Sequence, residues 1–191
     1  MASLIEAIDI KRKMYFEYEN APYHCLDVEV SKPTARGGQT LVRLKMRNLL
    51  TRAVFDKTFK AGEKFKEPDL VIEAATYLYS DGDGFHFMDQ QTFDDIMLTD
   101  ELIGQDQLKY LKEGMECEGL VHNDRVITVE LPSFVELTVT RTAPGVRGDT
   151  ATGGTKPATL ETGATVQVPL FIEEGQVIRV DRREDKYLTR V

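Results

Sequence analysis

The sequence predicts an all-β protein made of three small β-barrels in tandem. Apolar and polar residues alternate with period two in short segments such as LDVEV (26–30) and LVRLKMR (41–47), which is typical of half-buried strands. Turn-forming residues separate these segments, as in DGDG at 81–84. Only residues 92–112 have a helical pattern, and Gly104 interrupts it. Many short strands between regular turns are typical of an all-β protein made of small barrels or sandwiches.

Eight segments are expected to form strands. In chain order they are MYFEYE (14–19), LDVEV (26–30), LVRLKMR (41–47), VIEAATYLY (71–79), RVITVEL (125–131), FVELTVT (134–140), TVQVPLFI (165–172) and QVIRV (176–180). In LVRLKMR, alternation places Val42, Leu44 and Met46 on one face of the strand. The opposite face carries three cations, called the strand cations below: Arg43, Lys45 and Arg47.

Charge divides the chain into three parts. Residues 1–66 hold 13 Lys or Arg and 8 Asp or Glu, residues 67–130 hold 3 and 16, and residues 131–191 hold 8 and 8. The net charges are therefore +5, −13 and zero. The polar segment KFKEPD (64–69) is predicted to be a linker, and Glu130-Leu131-Pro132 marks the second change of charge. The predicted domains are thus 1–66, 67–130 and 131–191, each of about 60 residues, which suffices for a small barrel.

The charge distribution suggests different partners for different domains. A basic first domain suits a nucleic-acid backbone, whereas the acidic middle domain would be repelled by one and suits a basic protein. The same charges would also allow the first domain to dock on the second, and charge alone leaves both interpretations open.

The sequence lacks the residue patterns of an enzyme, a metalloprotein or a membrane protein. Cys25 and Cys117 lie 92 positions apart without a CxxC motif or a Cys/His cluster, and are expected to be reduced core residues of a cytoplasmic protein. No phosphate-binding glycine motif and no GxSxG motif occurs, so no catalytic residue, metal or cofactor is predicted. The N-terminus has no signal-peptide pattern, and no apolar run approaches the ~20 residues of a membrane span.

Four aromatic residues in the middle domain have two interpretations. Tyr77, Tyr79, Phe85 and Phe87 follow period-two spacing in two neighbouring segments. They could form a platform on which nucleic-acid bases stack. The same spacing describes one buried face of a sheet, and we expect all four to lie in the core.

The segment KPTARGGQ (32–39) is predicted to form a protruding hairpin loop before the strand that carries the strand cations. It contains Lys32 and Arg36, and no Asp or Glu occurs between Glu29 and Asp56. The planar guanidinium of an arginine suits phosphates and base edges, and the strand cations would hold the flanking backbone. Alternatively, the strand cations pair with Asp27 and Glu29 across the hairpin, which leaves the two loop cations without a partner.

Three stretches make the sequence resemble bacterial elongation factor P. They are KPTARGGQTLVRLKMRNLLT (32–51), TYLYSDGDGFHFMDQQTF (76–93) and KPATLETGATVQVPLFIEEG (156–175). The last fits the signature of the family, with Lys156, Gly163, Val168, Pro169 and Gly175 in register, and residues 134–191 resemble its C-terminal domain almost throughout.

The resemblance implies an SH3-like (KOW-type) barrel followed by two OB-fold barrels that together mimic a tRNA. Such a protein is a monomeric, non-enzymatic translation factor without a cofactor. It binds the ribosome between the peptidyl and exit sites, beside the peptidyl-tRNA and the mRNA. There it promotes peptide-bond formation at polyproline stalls, and its acidic middle domain lies towards a basic protein of the large-subunit stalk.

The resemblance also implies roles for individual residues. The loop that faces the CCA end of the peptidyl-tRNA is formed by Lys32, Pro33, Thr34, Ala35, Arg36 and Gly37. A C-terminal loop near the exit-site codon contains Gly148, Asp149 and Thr150. The strand cations would contact tRNA or rRNA backbone.

The first loop departs from the usual family pattern. That pattern is shorter by two residues and has at its tip a lysine that an enzyme extends, whereas other branches glycosylate an arginine. PTARG (33–37) instead resembles the elongation factor P-like paralogue. Arg36 is therefore a possible modification site, although our hypothesis is that loop length and unmodified Arg36 supply the reach. Alternative functions are a paralogue with a different range of stalling motifs and a general single-strand RNA-binding OB protein.

Overall fold

The computed structural model describes residues 3–33, 38–145 and 154–191. Within these ranges sixteen strands and two four-residue α-helices form a nearly all-β protein, as predicted. The chain divides into two compact units. One consists of residues 1–73 and 119–128, and the other of residues 74–118 and 129–191.

The first sheet contains six strands around an apolar core. They are β1 (Leu4–Glu6), β2 (Tyr15–Tyr18), β3 (Ala21–Ser31), β4 (Leu41–Asn48), β5 (Val54–Lys60) and β6 (Lys64–Lys66). Their spatial order is β1-β6-β2-β3-β4-β5, and a 3-10 turn, Ala7–Asp9, follows β1. Val42, Leu44 and Met46 of β4 are buried, which confirms the predicted apolar face. The linker prediction is wrong for residues 64–66, because β6 pairs with β1.

The second sheet has the strand order β11-β10-β7-β8-β9. Its strands are β7 (Leu70–Ser80), β8 (Phe85–Asp89), β9 (Asp95–Leu98), β10 (Glu116–His122) and β11 (Arg125–Glu130). The helical prediction for 92–112 is wrong over β9 and correct for α1 (Asp100–Ile103) and α2 (Gln105–Leu108). Gly104, with φ of 88°, separates these two helices.

A β-bulge divides the four aromatic residues of β7 and β8. Tyr77 and Phe87 are buried, as expected of core residues, and Phe85 is half-buried. Tyr79 is 47% exposed, and its ring stacks on that of His86 with centroids 4.6 Å apart. The core prediction is wrong for Tyr79 because the register shifts between Tyr77 and Tyr79, and a bulge of one residue turns the following side chain to the other face.

The C-terminal strands form a closed barrel. They are β12 (Phe134–Thr142), β13 (Thr155–Leu160), β14 (Thr165–Pro169), β15 (Val177–Asp181) and β16 (Lys186–Arg190), in the order β12-β13-β14-β16-β15. Alternate residues of β12 and β14, including Leu137, Val139 and Val168, fill the interior. The strand predicted over 165–172 ends at Pro169, since proline has no N–H to extend a ladder.

Both cysteines lie in the core, as expected. Burial raises the pKa of the Cys25 thiol to about 11 and that of Cys117 to about 12. Among the helices of the described residues, none is long and apolar enough to cross a membrane.

Candidate nucleic-acid interface

The predicted basic loop lies between two long paired strands of the first sheet. β3 and β4 pair antiparallel up to Ser31 and Leu41, so Lys32 and Pro33 continue beyond the last paired residues, and both are exposed. Thr34, Ala35, Arg36 and Gly37 lie outside the described residues. The ladder therefore sets where the loop leaves the sheet and where it returns, at Gly38–Thr40.

The strand cations lie on the outer face of β4, and the register of the sheet places acids beside two of them. Arg43 lies opposite Glu29 of β3, and its guanidinium is 3.9 Å from the Glu29 carboxylate and 3.9 Å from that of Asp56 on β5. Lys45 lies opposite Asp27 on one side and Asp56 on the other.

Arg47 has different neighbours in the same ladder. It lies opposite His24 of β3 and Val54 of β5, so neither directly opposed residue is an acid. The alternative in which strand cations pair with acids across the hairpin therefore holds for Arg43, which forms an ion pair with Glu29. It does not extend to the loop, because Lys32 lies beyond the last ladder pair in a stretch without acids from residue 30 to 55.

A cation of β5 that the sequence did not single out is held within the first sheet. Lys57 donates a hydrogen bond to the Tyr18 hydroxyl, and its ammonium group lies 4.5 Å from the centroid of the Tyr18 ring. The hydrogen bond from Lys57 to Tyr18 raises the pKa of Lys57. Lys57 lies opposite buried Leu44 in the ladder, so it is on the apolar side of the sheet and does not add to the face that carries the strand cations.

The second predicted contact segment, Gly148, Asp149 and Thr150, lies outside the described residues. The residues that lead to it and away from it are held by specific contacts. At the outgoing end, Thr142 donates through its hydroxyl to the Pro157 carbonyl at 3.0 Å, and its N–H donates to Glu174 at 3.0 Å. Beyond Thr142, Gly145 passes so close to Leu170 that a Cβ at residue 145 would lie 2.6 Å from the Leu170 carbonyl oxygen.

The returning end passes the same leucine. A Cβ at Gly154 would lie 3.3 Å from the Leu170 side chain. Two residues later, Lys156 is 6% exposed and donates from Nζ to the Ala143 carbonyl at 2.5 Å. We call Thr142–Gly145 with Gly154–Lys156 the loop stem.

The acid-rich middle sheet offers no metal centre among the residues that the structure describes. Two of its acids are engaged by His86, whose ring nitrogens lie 3.0 Å from Asp95 and 3.0 Å from Asp81. Hydrogen bonding to Asp95, and then the nearby charge of Asp81, raise the pKa of His86. Asp81 also accepts hydrogen bonds from the N–H groups of Asp83 and Gly84, so this cluster ties the turn of the β7–β8 hairpin.

Three family models match successive parts of the chain. They are the elongation factor P KOW-like domain at residues 6–65, the elongation factor P OB domain at 72–129 and the elongation factor P C-terminal domain at 135–190. The chain belongs to the elongation factor P family. Membership of the elongation factor P family makes the protein a translation factor and gives its three parts their architecture, a KOW-like domain followed by OB-type barrels.

Relatives in the elongation factor P family match over the full length. Elongation factor P of Carboxydothermus hydrogenoformans is 45% identical over 188 residues, which cover 98% of this chain and 100% of that one. Elongation factor P of Aquifex aeolicus is 44% identical over 191 residues, or 100% of this chain and 98% of that one. Among solved structures, "Eukaryotic translation initiation factor 5A from Methanococcus jannaschii" is similar over 69% of this chain and 92% of that one, at 20% identity and with a TM-score of 0.49.

Lys156 belongs to the elongation factor P signature, but the signature does not predict that its side chain is buried and bonded to the Ala143 carbonyl. The signal that could have revealed it is alternation, because KPATL places Lys156 in phase with Ala158 and Leu160, which are buried. A lysine in phase with two core residues predicts a buried amino group with a specific acceptor.

Proposed function

We propose that this member of the elongation factor P family binds the ribosome beside the peptidyl-tRNA and promotes peptide-bond formation at polyproline stalls. The observation that carries the proposal is the match to elongation factor P relatives over 98–100% of both chains. The paired β3 and β4 strands support the proposal, because exposed Lys32 and Pro33 lie just beyond the end of their ladder.

The proposed mechanism is positional. Proline is a poor nucleophile, and consecutive prolines distort the nascent chain, so the reacting groups seldom align. A protein that holds the CCA end of the peptidyl-tRNA increases the fraction of aligned complexes without taking part in bond chemistry. In this mechanism Lys32, Pro33 and the 34–37 segment contact the CCA end, and the ribosome remains the catalyst.

We propose three domains, 1–66, 67–130 and 131–191, each with its own contact on the ribosome. The strand cations contact tRNA or rRNA backbone. The middle domain, at −13, faces a basic protein of the large-subunit stalk. Gly148, Asp149 and Thr150 approach the exit-site codon of the mRNA, and the protein acts as a cytoplasmic monomer.

We further propose that Arg36 acts without modification. The loop is two residues longer than the usual family pattern, so the backbone itself extends the guanidinium towards the tRNA. Arginine already provides a permanent charge and a planar fork for phosphate or base edges. Intact-mass measurement of the native protein tests this: a mass increment localised to Arg36 or Lys32 would contradict it.

Synthesis of a Pro-Pro-Pro peptide on purified ribosomes tests the function. The reaction is compared without factor, with the unmodified recombinant protein and with its Arg36→Ala variant. We expect rescue by the unmodified protein and a loss of about tenfold in rescue rate with the variant, the scale of one charge-assisted contact. Arg125→Ala, which removes an exposed arginine of β11, is the matched control and should rescue like the wild type.

Ribosome binding separates the possible failures. If the wild-type protein binds ribosomes without rescue, the unmodified-arginine mechanism is wrong and a modification is required. If it does not bind ribosomes, the translation-factor proposal itself is wrong. Tight, salt-tolerant binding to free oligonucleotides would instead favour a general single-strand RNA-binding protein, since contacts made mainly to phosphates weaken steeply with salt.

The PTARG loop favours a second candidate within the same class, a paralogue with a different range of stalling motifs. Rescue rates on a panel of stalling sequences distinguish the two. A preference confined to consecutive prolines supports the first candidate, and comparable rescue of non-proline stalls supports the paralogue.

A further inference from the structure

Lys156 occupies an unusual place in the C-terminal barrel. Residues 156, 158 and 160 of β13 point inward, and Ala158 and Leu160 are fully or almost fully buried. The apolar stem of Lys156 completes this inward row, while its amino group reaches across to the Ala143 carbonyl at 2.5 Å. A buried amino group is costly to desolvate, so an apolar residue at this position would serve the barrel core equally well or better.

The acceptor of this hydrogen bond identifies what the lysine does. Ala143 follows immediately after Thr142, the last residue of β12 and of its ladder with β13. Lys156 stands next to Thr155, the first residue of β13. The bond therefore ties the two sides of the loop stem to each other just where the regular backbone ladder ends.

Close packing reinforces the same stem. Gly145 and Gly154 both lie against Leu170, the first residue after β14, and the Gly145 backbone tolerates no side chain there without movement. The Thr142 N–H and hydroxyl are held by Glu174 and Pro157. Together with the Lys156 hydrogen bond, these contacts fix the stem, and two of them are charge-assisted: the bond from Lys156 to Ala143 and the bond from the Thr142 N–H to Glu174.

We propose that Lys156 is a positioning residue for the proposed codon contact: it fixes the loop stem so that the segment containing Gly148, Asp149 and Thr150 starts and ends at a defined place. This inference rests on the proposed function. A fixed stem lowers the conformational entropy lost on binding, so Lys156 contributes to ribosome affinity and leaves the chemical step of the ribosome unchanged.

The test is Lys156→Met in the full-length protein, which keeps an unbranched side chain of similar length and removes the donor. In Pro-Pro-Pro synthesis we expect the concentration for half-maximal rescue to rise about tenfold, while the rate at saturating factor stays within twofold of wild type. Lys186→Met, which removes an exposed lysine of β16 in the same barrel, is the matched control and should leave both values unchanged.

A double-variant comparison separates positioning from a general structural role. If Lys156 acts through the loop, Lys156→Met should add little to Asp149→Ala, since the contact that it prepares is already impaired. If the increases in half-maximal concentration caused by Lys156→Met and Asp149→Ala add fully in the double variant, the inference is wrong. It is also wrong if Lys156→Met alone leaves the half-maximal concentration unchanged while the wild-type protein is active.

Gly145→Ala provides a second route if Lys156→Met is poorly folded at the assay temperature. The new methyl group must displace the stem from the Leu170 carbonyl, so the same selective loss of affinity is expected with Lys156 intact. Gly82→Ala, at a glycine with nothing within 4 Å of an added Cβ, is its control. An unchanged affinity for Gly145→Ala would contradict the inference, whereas a wild-type protein that fails to bind ribosomes would instead refute the proposed function on which it rests.

Discussion

The first sheet and the C-terminal barrel use their cations in different ways. Arg43 of the first sheet has a side chain that is 56% exposed and lies 3.9 Å from each of its two carboxylate partners. Arg182 of the barrel has a side chain that is 10% exposed. It donates to the Leu131 carbonyl at 2.7 Å, to the Pro132 carbonyl at 2.8 Å and to Glu130 at 3.1 Å. Lys156 is also buried, but it donates to a single backbone carbonyl, that of Ala143, and has no carboxylate partner among the contacts described.

The difference shows that burial, and not the number of charges, decides what a cation contributes. An exposed ion pair is screened by water and contributes about 0–1 kcal/mol to the free energy of unfolding. A cation removed from a buried set of acceptors leaves them without a donor, at several times that cost. Removing Arg43 from its carboxylate partners should therefore change the free energy of unfolding little, whereas removing Arg182 from its acceptors should lower it strongly.

The largest effect is expected from Arg182→Met. The substitution leaves the Glu130 carboxylate and two backbone carbonyls without this donor, so the free energy of unfolding should fall by about 3 kcal/mol. Urea denaturation followed by circular dichroism measures this loss.

Arg179→Met in the same barrel is the matched control. Its guanidinium also pairs with a carboxylate, that of Glu136 at 2.5 Å, but the two side chains are 50% and 44% exposed. We expect a loss below about 1 kcal/mol. Equal losses for the two variants would show that burial does not govern the comparison.

An intermediate and pH-dependent effect is expected from Asp185→Asn. Asp185 accepts from the Tyr110 hydroxyl at 2.7 Å and from Lys109 at 2.8 Å. Burial raises the pKa of Asp185, but the hydrogen bonds from Lys109 and Tyr110 and the charge of Lys109 together lower it below its ordinary value of 3.8. Because the folded pKa is the lower one, the contact stabilises the protein above that ordinary value and is lost as the pH falls through the folded pKa.

The melting temperatures of wild type and Asp185→Asn should therefore differ most near neutral pH and converge below about pH 4. Near neutral pH the difference should correspond to about 1 kcal/mol, since the site is partly exposed and screened. Glu184→Gln removes the neighbouring charge without this contact and should follow the wild type throughout. A difference that grows as the pH falls would refute the assignment.

The smallest effect on stability is expected from Arg43→Met. Both ion pairs of Arg43 are long and exposed, so the free energy of unfolding should change by less than about 0.5 kcal/mol. Ribosome binding measured at two salt concentrations complements the unfolding experiment. A loss of stability above about 1 kcal/mol would show that the first sheet depends on this cation, contrary to the comparison.

The apolar pattern of the first sheet could be predicted because it is local. The alternation in LVRLKMR is written in seven consecutive residues, and the strand that it predicts is β4 with the expected buried face. Likewise, the change of charge along the chain and the family signature can be read without coordinates. The short β6 was missed because KFKEPD has too few residues for a periodic signal, and its pairing with β1 is a contact across 60 positions.

Register and burial could not be predicted, because both arise between distant segments. Only the pairing of β3, β4 and β5 decides that Arg43 and Lys45 have acids opposite them and that Arg47 has none. A single bulge between Tyr77 and Tyr79 moves Tyr79 out of the core, against an alternation that predicts the reverse.

The sequence by itself therefore determined the all-β class, the family, the charge of each domain and the acid-free loop that begins at Lys32. Tertiary structure alone decided which cations are compensated, which are buried and how the ends of the C-terminal loop are tied through Lys156 and Leu170. The physical reason is range: side-chain alternation repeats every two residues along one strand, whereas a charge acquires its partner and its solvent exposure only when separate strands pair.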